Sequence, residues 1–246
     1  MAIGDKIEFP LDLTKETFLE GCILAIDKPY EWSSFQAVNA VKWTLRKAFS
    51  LKKIKVGHAG TLDPLATGLL LICTGKSTKK IADLQGMPKE YTGTFHLGAT
   101  TPSYDLETQI DATFPTEHLT AELLRQKTAL FLGEITQKPP VFSAVKKDGK
   151  RLYEYARKGK EVEIPLRTVV ITRFELTRIA LPEVDFTVSC SKGTYIRSLA
   201  YDFGKSVGSG AYLSALKRTK IGSYNVNTAI GPNEFRALFT EAGFQL

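Results

Sequence analysis

Cysteine and histidine are scarce in this 246-residue chain, with three of each. Cys22, Cys73 and Cys190 lie far apart, inside or at the edge of apolar or alternating segments. That placement fits buried free thiols rather than a disulfide framework. His58, His96 and His118 show no ligand spacing with one another or with a cysteine, so neither a structural nor a catalytic metal site is predicted. Apolar runs are short as well. None approaches the length of a membrane span, and the N-terminus lacks the basic-then-apolar layout of a signal peptide. The expectation is a cytoplasmic protein with no membrane partner. A nucleotide-binding P-loop is missing too: Gly75-Lys76-Ser77 has the right ending, but the glycine needed five residues before Gly75 is Leu70. There is no internal repeat, low-complexity tract or evident interdomain linker.

What is present is an ordinary globular composition with 33 Lys and Arg against 26 Asp and Glu. The net charge of +7 favours a polyanionic partner. Cys22–Ile26 reads as a strand. Ser33 with Gln36 three residues later is a capping-box signature, and Phe35, Val38, Val41, Leu45 and Phe49 follow at helical spacing. The far end of that helix carries Arg46, Lys47, Lys52, Lys53 and Lys55, a basic rim. Leu69–Cys73 is a short apolar run that predicts a buried strand. Ser77 is placed to cap a short helix holding Ile81 and Leu84. Tyr91 to Leu97 alternates, with His96 on the wetter face. Leu119–Phe131 predicts a helix ended by Gly133, and Gly149–Gly159 a short basic helix with Tyr153 and Tyr155. One or two strands are expected over 162–179 and another at 184–190, then a helix from Ser198 toward Val207, a basic segment 213–224 and a short helix in the tail. The irregular order of strands and helices predicts an α+β fold with a mixed, mostly antiparallel sheet.

The stretch Gly57 to Gly68 concentrates three glycines and Pro64 around one carboxylate, Asp63. An acid in such an apolar-flanked loop loses solvation and needs a cation or several hydrogen bonds. Arg197, at the end of the alternating strand, is the natural candidate, since its guanidinium can grip a carboxylate with two hydrogen bonds. Tyr91 and Tyr195 offer rings for stacking on a base, and core packing would serve them equally well. A glycosidase reading would want a second carboxylate, for which Asp105 is the nearby choice. A binding-only protein without catalysis is the other alternative. From the residues alone the reaction stays open.

Taken in order, several segments carry a resemblance. They are Asp27-Lys28-Pro29, Gly60-Thr61-Leu62-Asp63-Pro64-Leu65-Ala66-Thr67-Gly68, Lys89-Glu90-Tyr91, Leu152-Tyr153-Glu154-Tyr155-Ala156-Arg157 and Gly193-Thr194-Tyr195-Ile196-Arg197. This set resembles the TruB family of tRNA pseudouridine synthases from about Gly21 to Tyr224. The resemblance implies the pseudouridine synthase fold and the isomerisation of uridine-55 in the TΨC loop of tRNA, a redox-neutral reaction with no cofactor. It implies Asp63 as nucleophile, Tyr91 stacking on a flipped uracil and Arg197 orienting Asp63. It further implies Tyr195 lining the pocket, His58 contacting displaced nucleotides, Lys28 supporting the loop or a phosphate, and Leu216 packing beneath the base. The expected layout is a lead-in over 1–20, a catalytic domain over 21–224 and a short tail over 225–246, without the family's frequent PUA RNA-binding domain. The expected partner is the tRNA T-arm stem-loop, met by a monomer without guide RNA.

Overall fold

Burial on both faces explains the apolar run at 69–73. In the computed structural model, which describes residues 12–142, 146–147, 150–151 and 164–246, the chain forms two compact units. One is Met1–Glu90 with Lys217–Leu246, the other Tyr91–Leu216. In the first unit β1 (Ile23–Lys28) pairs antiparallel with β3 (Ala66–Thr74), and β2 (Val56–Ala59) pairs with β3 as well. Leu24, Ile26, Leu70 and Ile72 face one layer of core, whereas Ile23, Ala25, Leu69, Leu71 and Cys73 face another. A strand covered on both sides needs no polar alternation.

The first of those layers is closed by α1 (Lys15–Glu20), α2 (Ser34–Ala48) and α6 (Pro232–Glu241). The capping box of α2 is formed: the Ser33 amide donates to Gln36 Oε1 at 2.7 Å and the Gln36 amide to Ser33 Oγ at 3.2 Å. Its buried face is Ser34, Ala37, Val38, Val41, Thr44 and Leu45. Phe35, placed by spacing on that face, is instead 68% exposed, because the helix rotates the smaller Ser34 inward. Phe18 of α1, Phe49 at the end of α2, and Phe235 and Phe239 of α6 pack ring on ring at 5.3–6.3 Å. The described part of the lead-in and the C-terminal helix thus belong to the core of this unit.

Between β3 and β4 (Lys89–Leu97) lie a 3-10 turn, Gly75–Lys80, and the one-and-a-half-turn helix α3 (Ile81–Gly86). Ser77 is buried within the 3-10 turn, and the residue at the start of α3 is Lys80, with no side-chain cap. The capping role expected of Ser77 is therefore wrong. The chain tightens before the α-helix begins.

The second unit takes α4 (Ala121–Thr128), then β5 (Gly133–Gln137), β6 (Arg167–Ala180) and β7 (Glu183–Cys190). Their order within this unit is β4, β7, β6, β5, and the pairs β5–β6 and β6–β7 are antiparallel. Phe95, Phe131, Phe174, Phe186 and Phe203 form its aromatic centre, with Phe95 stacked on Phe186 at 4.1 Å. His96 is half-buried and stacks on Tyr212 at 4.9 Å. The helix expected from Ser198 begins earlier, as α5 (Ile196–Ser206). The basic segment 213–224 is a strand, β8 (Ala211–Ile221), turned back by β9 (Tyr224–Asn225). Isolated parallel bridges join Ile26 to Ile230 and Asp105 to Leu213. This is the mixed, mostly antiparallel α+β arrangement. Of the expected basic helix, Lys150–Arg151 form a short strand against Lys146–Lys147, and residues 152–159 lie outside the described residues. No helix among the described residues is long and apolar enough to cross a membrane.

Candidate active site

Half of the glycine-rich stretch is strand. Gly57, His58 and Ala59 belong to β2, and Ala66, Thr67 and Gly68 open β3, which leaves Gly60–Leu65 as the turn that carries Asp63. The residues on either side of Asp63 are each tied down by a buried side chain from elsewhere in the first unit. Ser34 Oγ donates to the Leu62 carbonyl at 3.0 Å and accepts from the Leu62 amide at 2.8 Å. Lys28 Nζ donates to the carbonyls of Pro64 at 3.2 Å, Pro29 at 2.8 Å and Trp32 at 2.5 Å. Within the turn the Ala66 amide donates to the Asp63 carbonyl at 3.1 Å. Asp63 is half-buried between these anchors.

The start of the turn and the strand that follows it both meet Arg218, a residue that β8 drives into the interior. Its Nη2 donates to the Gly60 carbonyl at 3.0 Å and its Nε to the Leu69 carbonyl at 2.7 Å. Gly68 makes this approach possible. At φ 101°, a Cβ there would stand 2.4 Å from the Arg218 carbonyl oxygen, a position only glycine can hold. Arg218 appeared in the sequence as one cation in a basic run. Nothing local singled it out: Arg218 and Lys220 share a phase in β8, yet only Arg218 is buried.

These groups set the local electrostatics. Burial pulls the Lys28 ammonium down to about 8, with Asp63 opposing the fall and Arg218 adding to it. Burial and the charge of Arg218 likewise lower the affinity of His58 for its proton, partly offset by the backbone at Gly60. Lys28 is fully buried, with its three bonds on carbonyls, one of them that of Pro64 in the turn. Among the described residues no group of three or more His, Cys, Asp or Glu is placed to hold a metal ion.

The second unit holds Tyr91, Tyr195, Arg197 and Leu216. Arg197 is not at a strand end. It is the second residue of α5, because Ser191–Tyr195 forms a separate connection after β7. Gln137, 1% exposed at the end of β5, fixes that connection by a double hydrogen bond to the Tyr195 backbone, at 3.0 and 3.3 Å. Ser198 Oγ donates to the Lys138 carbonyl at 2.7 Å. The Arg197 side chain is buried with Asp105, Nε to Oδ2 at 3.6 Å, and its Nη1 donates to the Ser103 carbonyl at 3.2 Å. Asp105, considered as a second catalytic carboxylate, is thus the counter-ion of a buried arginine. The guanidinium of Arg167 lies 5.1 Å from the centre of the Tyr195 ring. Tyr91 is buried and Leu216 half-buried, on β4 and β8 respectively.

The fold is that of the pseudouridine synthases. The chain superposes on a Cbf5-Nop10-Gar1 complex structure with TM-score 0.67 at 28% identity, over 94% of this chain and 59% of that one. It superposes equally on an H/ACA RNP bound to a substrate RNA containing 2′-deoxyuridine, with TM-score 0.66 at 26% identity, over 93% and 57%. The family model for TruB family pseudouridylate synthase (N terminal domain) matches residues 46–196, and the chain belongs to this family. Similar curated relatives include the tRNA pseudouridine synthase B of Flavobacterium johnsoniae, 67% identical over 89% of this chain and 96% of that protein. That of Phocaeicola vulgatus is 52% identical over 89% and 93%.

Proposed function

We propose that the chain isomerises uridine-55 in the TΨC loop of tRNA to pseudouridine, with Asp63 as the nucleophile and no guide RNA. The names of relatives 50–67% identical to it support tRNA as substrate. The observation that carries the catalytic assignment is the double anchoring of the turn, with Leu62 held by Ser34 and Pro64 by Lys28. Immobilising a reacting group in advance removes much of the entropic part of a barrier.

In the reaction the N1–C1′ bond breaks, the uracil turns, C5 bonds to C1′, and the C5 proton is lost while N1 gains one. Attack of Asp63 on the ribose C1′, its addition at uracil C6, and its assistance in elimination to a glycal all begin from the same carboxylate. A base inside a folded loop must be turned out first, at a cost of a few kcal/mol offset by stacking and phosphate contacts. Tyr91 supplies the stacking ring, Arg197 serves the acid, and His58, Tyr195 and Leu216 contact the nucleotide and its neighbours. Neither oxidant nor second substrate enters.

Carbodiimide or mass-spectrometric mapping on unmodified tRNA and on an isolated T-arm stem-loop tests this. Wild type should modify both at position 55. Asp63→Asn should abolish modification while binding tRNA within a few-fold of wild type. Turnover retained by Asp63→Asn would remove Asp63 as nucleophile, and modification at another position would remove the target.

A further inference from the structure

The basic rim singled out in the sequence has no part in the turn around Asp63, yet its first two residues, Arg46 and Lys47, lie on the helix that supplies Ser34. The outer face of α2 opens into a cleft of about 460 Å³ lined by Asn39, Lys42, Trp43, Arg46, Lys47 and Leu51. Three cations and no acid line it. Trp43 is 41% exposed, an unusual cost for so large an apolar ring. Two cations lie against this ring, Lys47 Nζ at 5.9 Å and Arg236 of α6 at 4.7 Å from its centre. Arg46 Nε is held by the Leu51 carbonyl at 3.3 Å.

We propose that this cleft is a second RNA-contact surface, which grips the sugar-phosphate backbone of the tRNA away from the nucleotide being modified. The inference rests on the tRNA reading above. Cations grouped around an exposed indole match the two features that backbone and unpaired bases offer, negative charge and a flat ring. Anchoring Arg46, Lys47 and Arg236 in advance reduces the side-chain freedom lost when RNA binds. Geometry adds a further reason. Ser34, which clamps Leu62, and Trp43 are nine residues apart on one helix, roughly 14 Å along its axis. An RNA long enough to present a loop nucleotide at Asp63 extends over such a distance. Lys52, Lys53 and Lys55 are exposed along the connection from the end of α2 to β2, so positive charge continues toward the turn.

The test is filter binding of whole unmodified tRNA across a series of KCl concentrations, comparing wild type with Lys42→Ala/Arg46→Ala/Lys47→Ala. The triple variant should bind about tenfold or more weakly near physiological salt, and the slope of log K against log[KCl] should shrink by about 2 to 3. Its kcat at saturating tRNA and its melting temperature should match wild type. A Lys42→Arg/Arg46→Lys/Lys47→Arg variant should bind like wild type. A Kd within twofold of wild type with an unchanged slope would overturn the proposal. If wild type forms no pseudouridine in tRNA, the activity assignment fails by itself, and the salt slopes still decide whether this face meets RNA.

Discussion

The turn that carries the acid and the side chain of the arginine that the sequence singled out are braced by different means. The turn that carries Asp63 is fixed along its backbone: Ser34, Lys28 and Arg218 reach Leu62, Pro64 and Gly60. Arg197 is fixed at its charge, by Asp105 and the Ser103 carbonyl, in an interior where the two side chains are 4% and 8% exposed. The difference teaches how a charged group can be positioned. Bracing the backbone limits where a carboxylate on the turn can reach, whereas pairing a guanidinium offsets a burial cost that would otherwise threaten the fold. Changes around Asp63 should therefore register in catalysis before stability, and changes around Arg197 in both.

The sharpest contrast comes from Asp105→Asn. It keeps the shape but removes the Asp105 charge from beside buried Arg197, and should cost on the order of 3–5 kcal/mol, read as a lower urea midpoint together with lost activity. A midpoint near wild type would mean that Arg197 does not depend on Asp105. Next is Lys28→Met, which removes three hydrogen bonds from the support of the turn and should depress kcat strongly. It also carries a sign in pH. Folded Lys28 releases its proton near 8 while the unfolded chain holds it to about 10.5. Across that window the unfolded state binds more protons, so wild type should gain stability relative to Lys28→Met as pH rises. Parallel stability curves for the two proteins would refute the burial effect. Smallest is Ser34→Ala, which leaves one amide and one carbonyl of Leu62 unpaired and should cost about 1–2 kcal/mol. Its kcat should fall about tenfold, measured in single-turnover assays. A loss of stability without a loss of rate would break the comparison from the other side.

Signals confined to a few neighbouring residues were legible in the sequence. The Ser33–Gln36 capping box, the buried run at 69–73 and the alternation of 91–97 all stand, because each is decided by local geometry. What was lost depends on partners far away in the chain. Ser34 turns inward to serve Leu62, which shifts the helix phase and exposes Phe35. Arg218 looks like any surface cation until Leu69 and Gly60 supply the carbonyls it braces. The strand 211–221 hid behind its charges for the same reason. Arg197 was expected at a strand end because nothing in the spacing discloses the Gln137 amide that holds Tyr195 and lets α5 start at Ile196. The family loop pattern identified Asp63, and only the structure reveals the residues that keep it still.

One consequence concerns when the enzyme becomes competent during its synthesis. Phe49, at the end of α2, packs against Phe18 near the start of the chain and against Phe239 and Phe244 close to its end. The helix whose first turn steadies Leu62 therefore finishes its packing only after the last of these rings has left the ribosome. A nascent chain holding every residue from Lys28 to Arg218 would still lack part of the support beneath its acid. Assembly of the turn around Asp63 thus waits on α6, which follows in the chain every residue that braces the turn directly.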